Sequence, residues 1–562
     1  MELVTDLAST VLTVAALGYL GVSVSDFGLG TRFKPRLRER WWRLSTMQRR
    51  ALLGGLPVLI YVAWGAPAAV WSLILIGLVL GWRRLAATVR RLVRRQAFTR
   101  AARQGFVLPM GVGLTGGGAS GLVARVAALP ILGRLVDLTA ATIERPTSML
   151  ALGTTGSGKT EVGKTLVWQL TDARRGDEPI VAFDYKTDYQ DFLREVCGED
   201  AVIRVSASGS THIWNVFQEV DDERDYRELA RALFPADGDG SAKFFEQAAR
   251  DVFRATCVAL DREYREDPDV TLSNALLART FREFSREDLY EALSEHGDMA
   301  AATSALDPDG SRQSVGVYAT VQQRVADVFV GDFAGEAAAR ADEAAAAAPT
   351  HTADAEISIR EYMRNPQGRV LVLDFPQRQG QTVAPIFRFL VDHAAMHALD
   401  DASRGAYFIL DEATRIPGLR RLDDLVNLGR GQQVQVLLTL QSVSQLFANY
   451  GKERGTSILS GLVSRVILRL GDEASIDYAR TVVGTEFKTY TKHVEKDHAG
   501  DFSVTKRREL KEEEEHAFAR GEFTRWNPGV GLFIGRTGWR YGYFPMLDDQ
   551  LAVEIDEAHA RT

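Results

Sequence analysis

The chain has 562 residues, too many for one ordinary domain, so two or three folded units are expected. Hydrophobic residues make up 46% of it and the formal net charge is −7. This balance excludes a uniformly basic nucleic-acid-binding protein but allows a local basic surface. The two cysteines, Cys197 and Cys257, exclude a zinc framework and a disulfide scaffold, and we expect both to be reduced and buried in a cytosolic compartment.

The first 104 residues have the composition of a membrane anchor. Residues 7–24 and 51–82 carry no charge and are long enough to span a bilayer, and arginine-rich segments follow each of them. If both basic segments are cytoplasmic, 51–82 forms a hairpin turning near 65–67 with short arms of about 15 residues. The alternative is two spans with the segment between them outside, and the sequence leaves both topologies open. An acidic N-terminus argues against a cleaved signal peptide, and residues 83–104 are typical of a basic helix at the membrane surface.

A complete phosphate-binding loop of the form G-x-x-x-x-G-K-[ST] lies at 153–160. A short apolar run at 149–152 precedes it and helix-forming sequence at 161–170 follows, which is the context the motif requires. The predicted nucleotide-binding residues are Gly153, Thr154, Thr155, Gly156, Ser157, Gly158, Lys159 and Thr160. Lys159 would contact the β- and γ-phosphates of ATP, and Thr160 would hold Mg²⁺. The flanking sequence disfavours the alternative, a glycine-rich turn with an incidental lysine.

Strand-like and helical sequence alternate along the rest of the chain. Strands are predicted at 149–152, 179–184, 201–205, 370–375, 406–410, 434–440 and 465–470. Helical periodicity with high charge fills 221–330, followed by an alanine-rich stretch at 335–355. The pattern predicts a mostly parallel α/β nucleotide-binding domain built from 105–220 and 357–562, with an all-α domain and its linker inserted at 221–356.

Three local predictions concern smaller segments of the cytoplasmic part. The glycine-rich stretch 111–121 is predicted to be a loop. The charge run 506–515 is interpreted as a solvated helix. Residues 530–534 and 539–544 flank Gly535-Arg536-Thr537-Gly538 and predict a β-hairpin.

Residues that follow later strands complete a hydrolytic site. Asp411 and Glu412 end an apolar strand in the Walker B arrangement, so Asp411 would anchor Mg²⁺ and Glu412 would act as the general base. An ordinary acidic pair at a strand end is the alternative. Gln441 ends the next strand, where its amide could bridge the lytic water and the γ-phosphate. Arg430 lies between those strands and could act on a neighbouring subunit's site in a head-to-tail oligomer, although a helix C-cap explains it equally well.

Taken together, these motifs resemble the type IV secretion coupling proteins, the TraD/TraG-like conjugative DNA-transfer ATPases of the HerA/FtsK superfamily. The resemblance rests on 153–160, 409–412, 429–431, 440–446 and 458–463 with Arg465. It implies a RecA-like domain, a membrane stem, an inserted all-α domain and a hexameric ring. It also implies that Arg430 is a trans-acting finger and Gln441 a γ-phosphate sensor. Lys186 falls near a family Asp-x-Lys element, but a strand-end turn is the preferred interpretation there.

The function implied is a membrane-anchored ATPase that uses ATP and Mg²⁺ to pump DNA, single-stranded or relaxase-bound, toward secretion-channel proteins. Its location would be the cytoplasmic membrane, with the ATPase domain in the cytoplasm. One alternative is a motor that translocates proteins or packages virion DNA. Another is a membrane scaffold locked by nucleotide that recruits a partner. Glu412 and Gln441 argue against the scaffold, because a pure binding module needs neither.

Overall fold

The computed structural model describes residues 94–560, apart from residues 104, 112–114, 117–137, 145–146, 174–177, 221, 224, 236–239, 268, 310–311, 336–355, 379, 402, 417, 498–503 and 537. The predicted membrane segments 7–24 and 51–82 lie outside the described residues, as does nearly all of the alanine-rich stretch. Within the described part, none of the helices combines the length and the apolar character needed to cross a bilayer. The described residues of 97–125 and 139–562 belong to one compact unit.

The strands, in chain order, are β1 (Gly105–Gly111), β2 (Thr115–Gly116), β3 (Leu138–Glu144), β4 (Met149–Leu152), β5 (Ile180–Asp184), β6 (Val202–Val205), β7 (Ile213–Trp214), β8 (Glu356–Ile357), β9 (Val370–Asp374), β10 (Ala406–Leu410), β11 (Val434–Leu440), β12 (Ser464–Ile467), β13 (Thr485–Asp497), β14 (Val504–His516), β15 (Val530–Gly535) and β16 (Gly538–Tyr543). The seven strands predicted around the phosphate-binding loop and its partners are confirmed with small shifts at their ends, and so is the hairpin of β15 and β16.

Ten of these strands form one sheet in the order β2-β16-β15-β12-β4-β11-β10-β5-β9-β6. The seven strands from β12 to β6 are parallel, while β15, β16 and β2 continue the sheet antiparallel beyond β12. Parallel strands all end at the same edge of a sheet. The loops that follow β4, β5, β10, β11 and β12 therefore meet along one edge.

The central strands are buried on both faces, which explains why they read as unbroken apolar runs rather than alternating ones. Within β4, Leu150 and Leu152 belong to one buried cluster, whereas Met149 and Ala151 belong to another. Successive side chains of a strand point to opposite faces, so the two clusters lie on the two faces of the sheet.

The described helices are α1 (Lys159–Ala173), α2 (Asp188–Cys197), α3 (Asp225–Leu233), α4 (Ser241–Tyr264), α5 (Asn274–Glu283), α6 (Arg286–Ser294), α7 (Ala300–Leu306), α8 (Arg312–Val328), α9 (Ile359–Arg364), α10 (Gly380–Asp400), α11 (Leu422–Leu428), α12 (Val443–Tyr450), α13 (Lys452–Gly461), α14 (Glu473–Val483), α15 (Arg520–Phe523) and α16 (Asp549–His559), together with a helical segment at 94–102.

Helices α3 to α8 follow one another between β7 and β8. Those two short strands pair in parallel, Ile213 opposite Glu356, so the chain enters and leaves the helical segment at one place. Phe253 of α4 stacks on Phe281 and Phe329, with ring centroids 6.1 and 6.4 Å apart. The buried side chains of these helices join the same cluster that covers one face of the sheet.

Three predictions differ from the structure. The charge run 506–515 is not a helix: it lies in β14, which pairs with β13 over thirteen residues as a separate two-stranded sheet. The run has no apolar face that a helix could bury, so the intrinsic helix preference of glutamate and lysine is outweighed by the long backbone ladder. Cys197 is half-buried rather than buried, because it lies at the end of α2, whereas Cys257 is buried as predicted. The predicted loop 111–121 contains β2, which pairs with β16.

Candidate nucleotide-hydrolysis site

The phosphate-binding loop connects β4 to α1 and is bonded to the strands on both sides. The Gly153 N–H donates to the carbonyl of Leu440 at the end of β11 (3.1 Å), and the Thr154 N–H donates to the carbonyl of Arg469 beyond β12 (2.8 Å). A methyl group on Gly153 would come within 2.6 Å of Ser157 Oγ, so this position has no room for a side chain. The loop is therefore held in place by its neighbours in the sheet.

Two further glycines give the loop its turn. Gly156 and Gly158 have φ angles of +69° and +105°, which L side chains rarely adopt. Helix α1 begins directly afterwards at Lys159, and the first N–H groups of a helix lack partners within it. The loop thus directs free backbone donors and the positive end of a helix dipole toward one place, which suits an anion such as a phosphate group.

Lys159 is buried inside this loop. Its Nζ donates to the carbonyl oxygens of Gly153 (2.7 Å) and Thr154 (3.2 Å), and its side chain is only 6% exposed. Burial lowers the pKa of the Lys159 ammonium, and the nearby charge of Glu412 opposes that shift. Thr160, the second residue of α1, is half-buried beside it. The carbonyl oxygens of the loop therefore position the ammonium.

Asp411 and Glu412 follow β10 at the same edge and are fixed by one hydroxyl. Thr439 Oγ1 donates to Asp411 Oδ1 (2.7 Å) and accepts from the backbone N–H of Glu412 (2.9 Å). Thr439 is fully buried in β11, the neighbouring strand. Burial, reinforced by the charge of Glu412, raises the pKa of Asp411 to about 6 despite its hydrogen bond. A carboxylate held this way is well suited to a cation that replaces the proton.

Glu412 is the centre of the site. Its Oε1 accepts from Gln441 Nε2 (2.8 Å) and lies 3.4 Å from Lys186 Nζ and 3.7 Å from Lys159 Nζ. The side chain is 1% exposed, and its backbone is left-handed with φ at +50°. The structure therefore brings together the predicted residues Lys159, Glu412 and Gln441 from three different strand ends.

Two buried oxygens show that this site is built for a further group. Ser157 Oγ and Glu412 Oε2 have no hydrogen-bond partner among the residues that the structure describes. Buried polar atoms are almost always paired, and leaving one unpaired costs about 1–3 kcal/mol. Mg²⁺ bound to a nucleotide needs few protein oxygens, because water and phosphate supply the rest. Thr160 and Asp411 supply such oxygens, so the residues present fit a nucleotide with its magnesium ion.

Arg430 lies away from these residues. It is exposed in the short 3₁₀ turn Gly429–Gln432, which precedes β11, whereas Gln441 follows β11. The two residues are thus at opposite edges of the sheet. The structure does not bring Arg430 to the phosphate-binding loop of its own chain.

Sequence reasoning missed three contributors to the site. The backbone around Lys186 does form the expected strand-end turn, with its N–H donating to Asp184 Oδ1 (3.3 Å), yet its ammonium reaches Glu412. Thr439 is an ordinary strand threonine in the sequence. Arg469 Nε donates to Thr154 Oγ1 (3.4 Å) from beyond β12. All three are polar residues that lie in or just after a buried strand, and this position in the sequence could have indicated a role in the site.

The comparisons with known proteins agree with this architecture. A family model described as the type IV secretion-system coupling protein DNA-binding domain matches residues 138–512. No curated protein sequence matches the chain. Among solved structures, the unbound bacterial conjugative coupling protein TrwBdeltaN70 is 19% identical with a TM-score of 0.56, over 72% of this chain and 86% of that one.

Two ligand complexes of the plasmid coupling protein TrwB are also similar to the chain. The complex with ADP and Mg²⁺ is 19% identical with a TM-score of 0.54, over 73% of this chain and 88% of that one. The complex with the non-hydrolysable ATP analogue ADPNP is 20% identical with a TM-score of 0.53, over 72% and 86%. At these identities the likeness shows the fold, a mixed α/β nucleotide-binding fold with a large, mostly parallel sheet.

Proposed function

This chain belongs to the type IV secretion-system coupling proteins, and on that premise we propose that it is an ATP-driven DNA translocase of a conjugation-like secretion system. In this proposal the sheet and its flanking helices are a RecA-like motor domain, and α3 to α8 are an inserted all-α domain. Residues 7–24 and 51–82 anchor the protein in the cytoplasmic membrane, with the motor in the cytoplasm. Six copies form the ring.

One observation carries the proposal that the site hydrolyses ATP rather than only binding it. Glu412 Oε1 lies 3.7 Å from the loop ammonium of Lys159 and accepts from the Gln441 amide at 2.8 Å. Binding a nucleotide requires the loop alone, whereas a buried carboxylate with an amide beside it is what activation of a water molecule requires. The TrwB complexes with ADPNP and with ADP and Mg²⁺ support the nucleotide and the metal.

Each residue of the site has a separate task in this proposal. The backbone of 153–158 and the N-terminus of α1 bind the phosphates, and Lys159 neutralises charge between them. Thr160 and Asp411 would hold Mg²⁺, and the bound ion would withdraw charge from the phosphate oxygens. Glu412 accepts the proton of the attacking water, and Gln441 orients Glu412 and that water.

Lys186 is proposed to orient the general base together with Lys159. Both ammonium groups and the Gln441 amide contact the same oxygen of Glu412, which leaves Oε2 without a partner among the described residues. Oε2 is therefore the oxygen we assign to the proton transfer. Oε1 remains occupied by its three neighbours, and the carboxylate cannot rotate without breaking those contacts.

The assembly and the cargo are supported by the family and by the position of Arg430. An exposed arginine at the edge opposite its own loop can stabilise transition-state charge in a neighbouring subunit, as a head-to-tail ring requires. The family description names a DNA-binding domain, which supports DNA, single-stranded or relaxase-bound, as the cargo. Secretion-channel proteins and the membrane are the other proposed partners.

The test is DNA-stimulated ATP hydrolysis by the full-length protein in detergent. We expect magnesium-dependent hydrolysis that single-stranded DNA accelerates. Lys159→Ala should lose both nucleotide binding and hydrolysis, whereas the matched variant Glu412→Gln should bind ATP and fail to hydrolyse it. Hydrolysis that no DNA accelerates would contradict the DNA motor and favour a protein cargo. Wild-type turnover in Glu412→Gln would contradict the assigned general base.

A further inference from the structure

Tyr543 is an exposed aromatic side chain beside the phosphate-binding loop. It is the last residue of β16 and is 46% exposed. Its ring lies against Gly529, where an added methyl group would come within 2.7 Å of Tyr543 Cε2. Gly529 has a φ of +76°, so both its conformation and the ring above it exclude a side chain. The absence of a side chain at 529 leaves the ring close to the backbone.

The backbone of Gly529 is hydrogen-bonded directly to the phosphate-binding loop. The Gly529 N–H donates to the carbonyl of Ser157 (2.8 Å), and the Phe544 N–H donates to the carbonyl of Gly529 (2.7 Å). From the loop side, a methyl group on Gly158 would lie 3.3 Å from Gly529 N. Gly529 therefore lies between the Tyr543 ring and the loop 153–158, which we assign to phosphate binding.

The hairpin that carries Tyr543 is firmly packed. β15 pairs with β12 and with β16, and Val530 lies opposite Tyr543. Beneath it, Phe518 packs against Trp539 and Tyr541 with ring centroids 5.2 and 5.7 Å apart, and Trp526 packs on Tyr541 at 5.4 Å. The backbone that carries Tyr543 is therefore fixed by the sheet, and Gly529 leaves room for the ring beside the loop.

We propose that the ring of Tyr543 is the stacking platform for the base of the bound nucleotide. This inference rests on the proposed nucleotide binding and adds the base subsite to it. The loop contacts recognise phosphates and leave the flat, apolar base to be covered by another surface. An aromatic ring beside the loop, 46% exposed, supplies that surface.

The chemistry of a ring face determines which nucleotides it favours. Stacking depends on the area of overlap, so the two-ring purines gain more than the single-ring pyrimidines. A ring face offers no donor or acceptor that separates adenine from guanine. Tyr543 therefore favours purine nucleoside triphosphates as a class, and ATP and GTP bind with similar affinity at this subsite.

Equilibrium binding to the full-length protein in detergent tests the platform, with ATP, GTP, CTP and inorganic tripolyphosphate as probes. Tyr543→Ala should weaken ATP and GTP by about 5- to 150-fold, which corresponds to about 1–3 kcal/mol at 1.4 kcal/mol per tenfold. CTP should weaken less, and tripolyphosphate, which has no base, should be unchanged. Tyr543→Phe keeps the ring and should bind as the wild type does. Phe244→Ala removes a similarly exposed ring in α4 and serves as the matched control.

Three outcomes would overturn the proposal in distinguishable ways. Unchanged ATP affinity in Tyr543→Ala would refute the platform. An equal loss for ATP and tripolyphosphate would mean that the ring supports the loop and not the base. Failure of the wild-type protein to bind ATP would refute the proposed function and the platform with it, whereas either of the first two results would leave the proposed function standing.

Discussion

Each site is proposed to use the phosphate-binding loop of one subunit and Arg430 of its neighbour. Replacing Arg430 with alanine tests the contribution of the neighbour. β11 runs from Val434 to Leu440, so at about 3.3 Å per residue roughly 20 Å separates the turn that holds Arg430 from the strand end that holds Gln441. The guanidinium cannot span that distance to its own site. We therefore expect Arg430→Ala to bind ATP with wild-type affinity and to lose about 10³- to 10⁵-fold in kcat, the range typical of arginine fingers.

A second test of this prediction measures whether two inactive variants recover ATPase activity when they are assembled into the same ring. A Lys159→Ala subunit lacks a working loop but still carries Arg430, whereas an Arg430→Ala subunit has the reverse defect. In a ring assembled from equal amounts of both, about one interface in four joins an intact loop to an intact arginine. Steady-state ATPase assays on co-assembled variants should recover roughly a quarter of the wild-type rate. Each variant assembled alone is the control.

Two results would refute this reasoning. Wild-type ATPase rates in Arg430→Ala would exclude a role for the guanidinium in catalysis, which leaves a helix-end cap as its function. Loss of activity with no recovery on mixing would mean that Arg430 acts within its own chain, or that the ring does not pair the loop with this edge. Weakened ATP binding in Arg430→Ala would point to the same conclusion.

Two further predictions concern the residues that support the site. Thr439→Val keeps the shape of a fully buried side chain but leaves the Glu412 backbone N–H and the Asp411 carboxylate without their hydrogen-bond partner. Denaturant unfolding should therefore show a free energy of unfolding about 2–4 kcal/mol lower than that of the wild type. Thr439→Ser keeps the hydroxyl and should stay within about 1 kcal/mol of the wild type. Burial raises the pKa of Asp184 to about 6, above its unfolded value of 3.8, so the stability this group contributes is present at low pH and is lost as the pH rises through 4 to 6. The free energy of unfolding of Asp184→Asn minus that of the wild type should therefore increase by about 2 kcal/mol between pH 4 and pH 7. A difference that stays constant over this pH range would contradict the prediction.

Much of the fold was predictable because a parallel sheet leaves a clear sequence pattern. Strands covered on both faces must be apolar throughout, and those runs mark β4, β5, β10 and β11 without further information. Since their carboxyl ends share one edge, the convergence of Lys159, Glu412 and Gln441 also follows from the strand assignments.

The contribution of Lys186 was not predictable from a single sequence. Its contact with Glu412 requires β5 to lie next to β10, which is a matter of strand order and not of local pattern. The turn that follows β5 satisfies the backbone locally and is a sufficient explanation of the sequence at that point. The side chain acquires its second partner only when the sheet is assembled.

The hairpin of β13 and β14 was missed for a different reason. Its charged sequence has neither the alternation of a half-buried strand nor the apolar face of a packed helix. Thirteen consecutive cross-strand pairs define the structure instead, and these pairs join residues up to thirty-one positions apart. Pairing between residues so far apart in the chain cannot be predicted from the pattern of a short sequence segment.

The backbone of Glu412 is strained at the residue that we assign as the general base. Glycine adopts a left-handed backbone conformation readily and asparagine tolerates it, whereas a glutamate in that conformation is destabilised by about 1 kcal/mol or more. Substituting glycine there would relieve that backbone cost, but it would also leave the buried Lys159 ammonium and its neighbour Lys186 without their carboxylate. The two lysines therefore hold the general base in a backbone conformation that a glutamate would otherwise avoid, so any substitution that removes the carboxylate affects turnover and the charge balance of the site together.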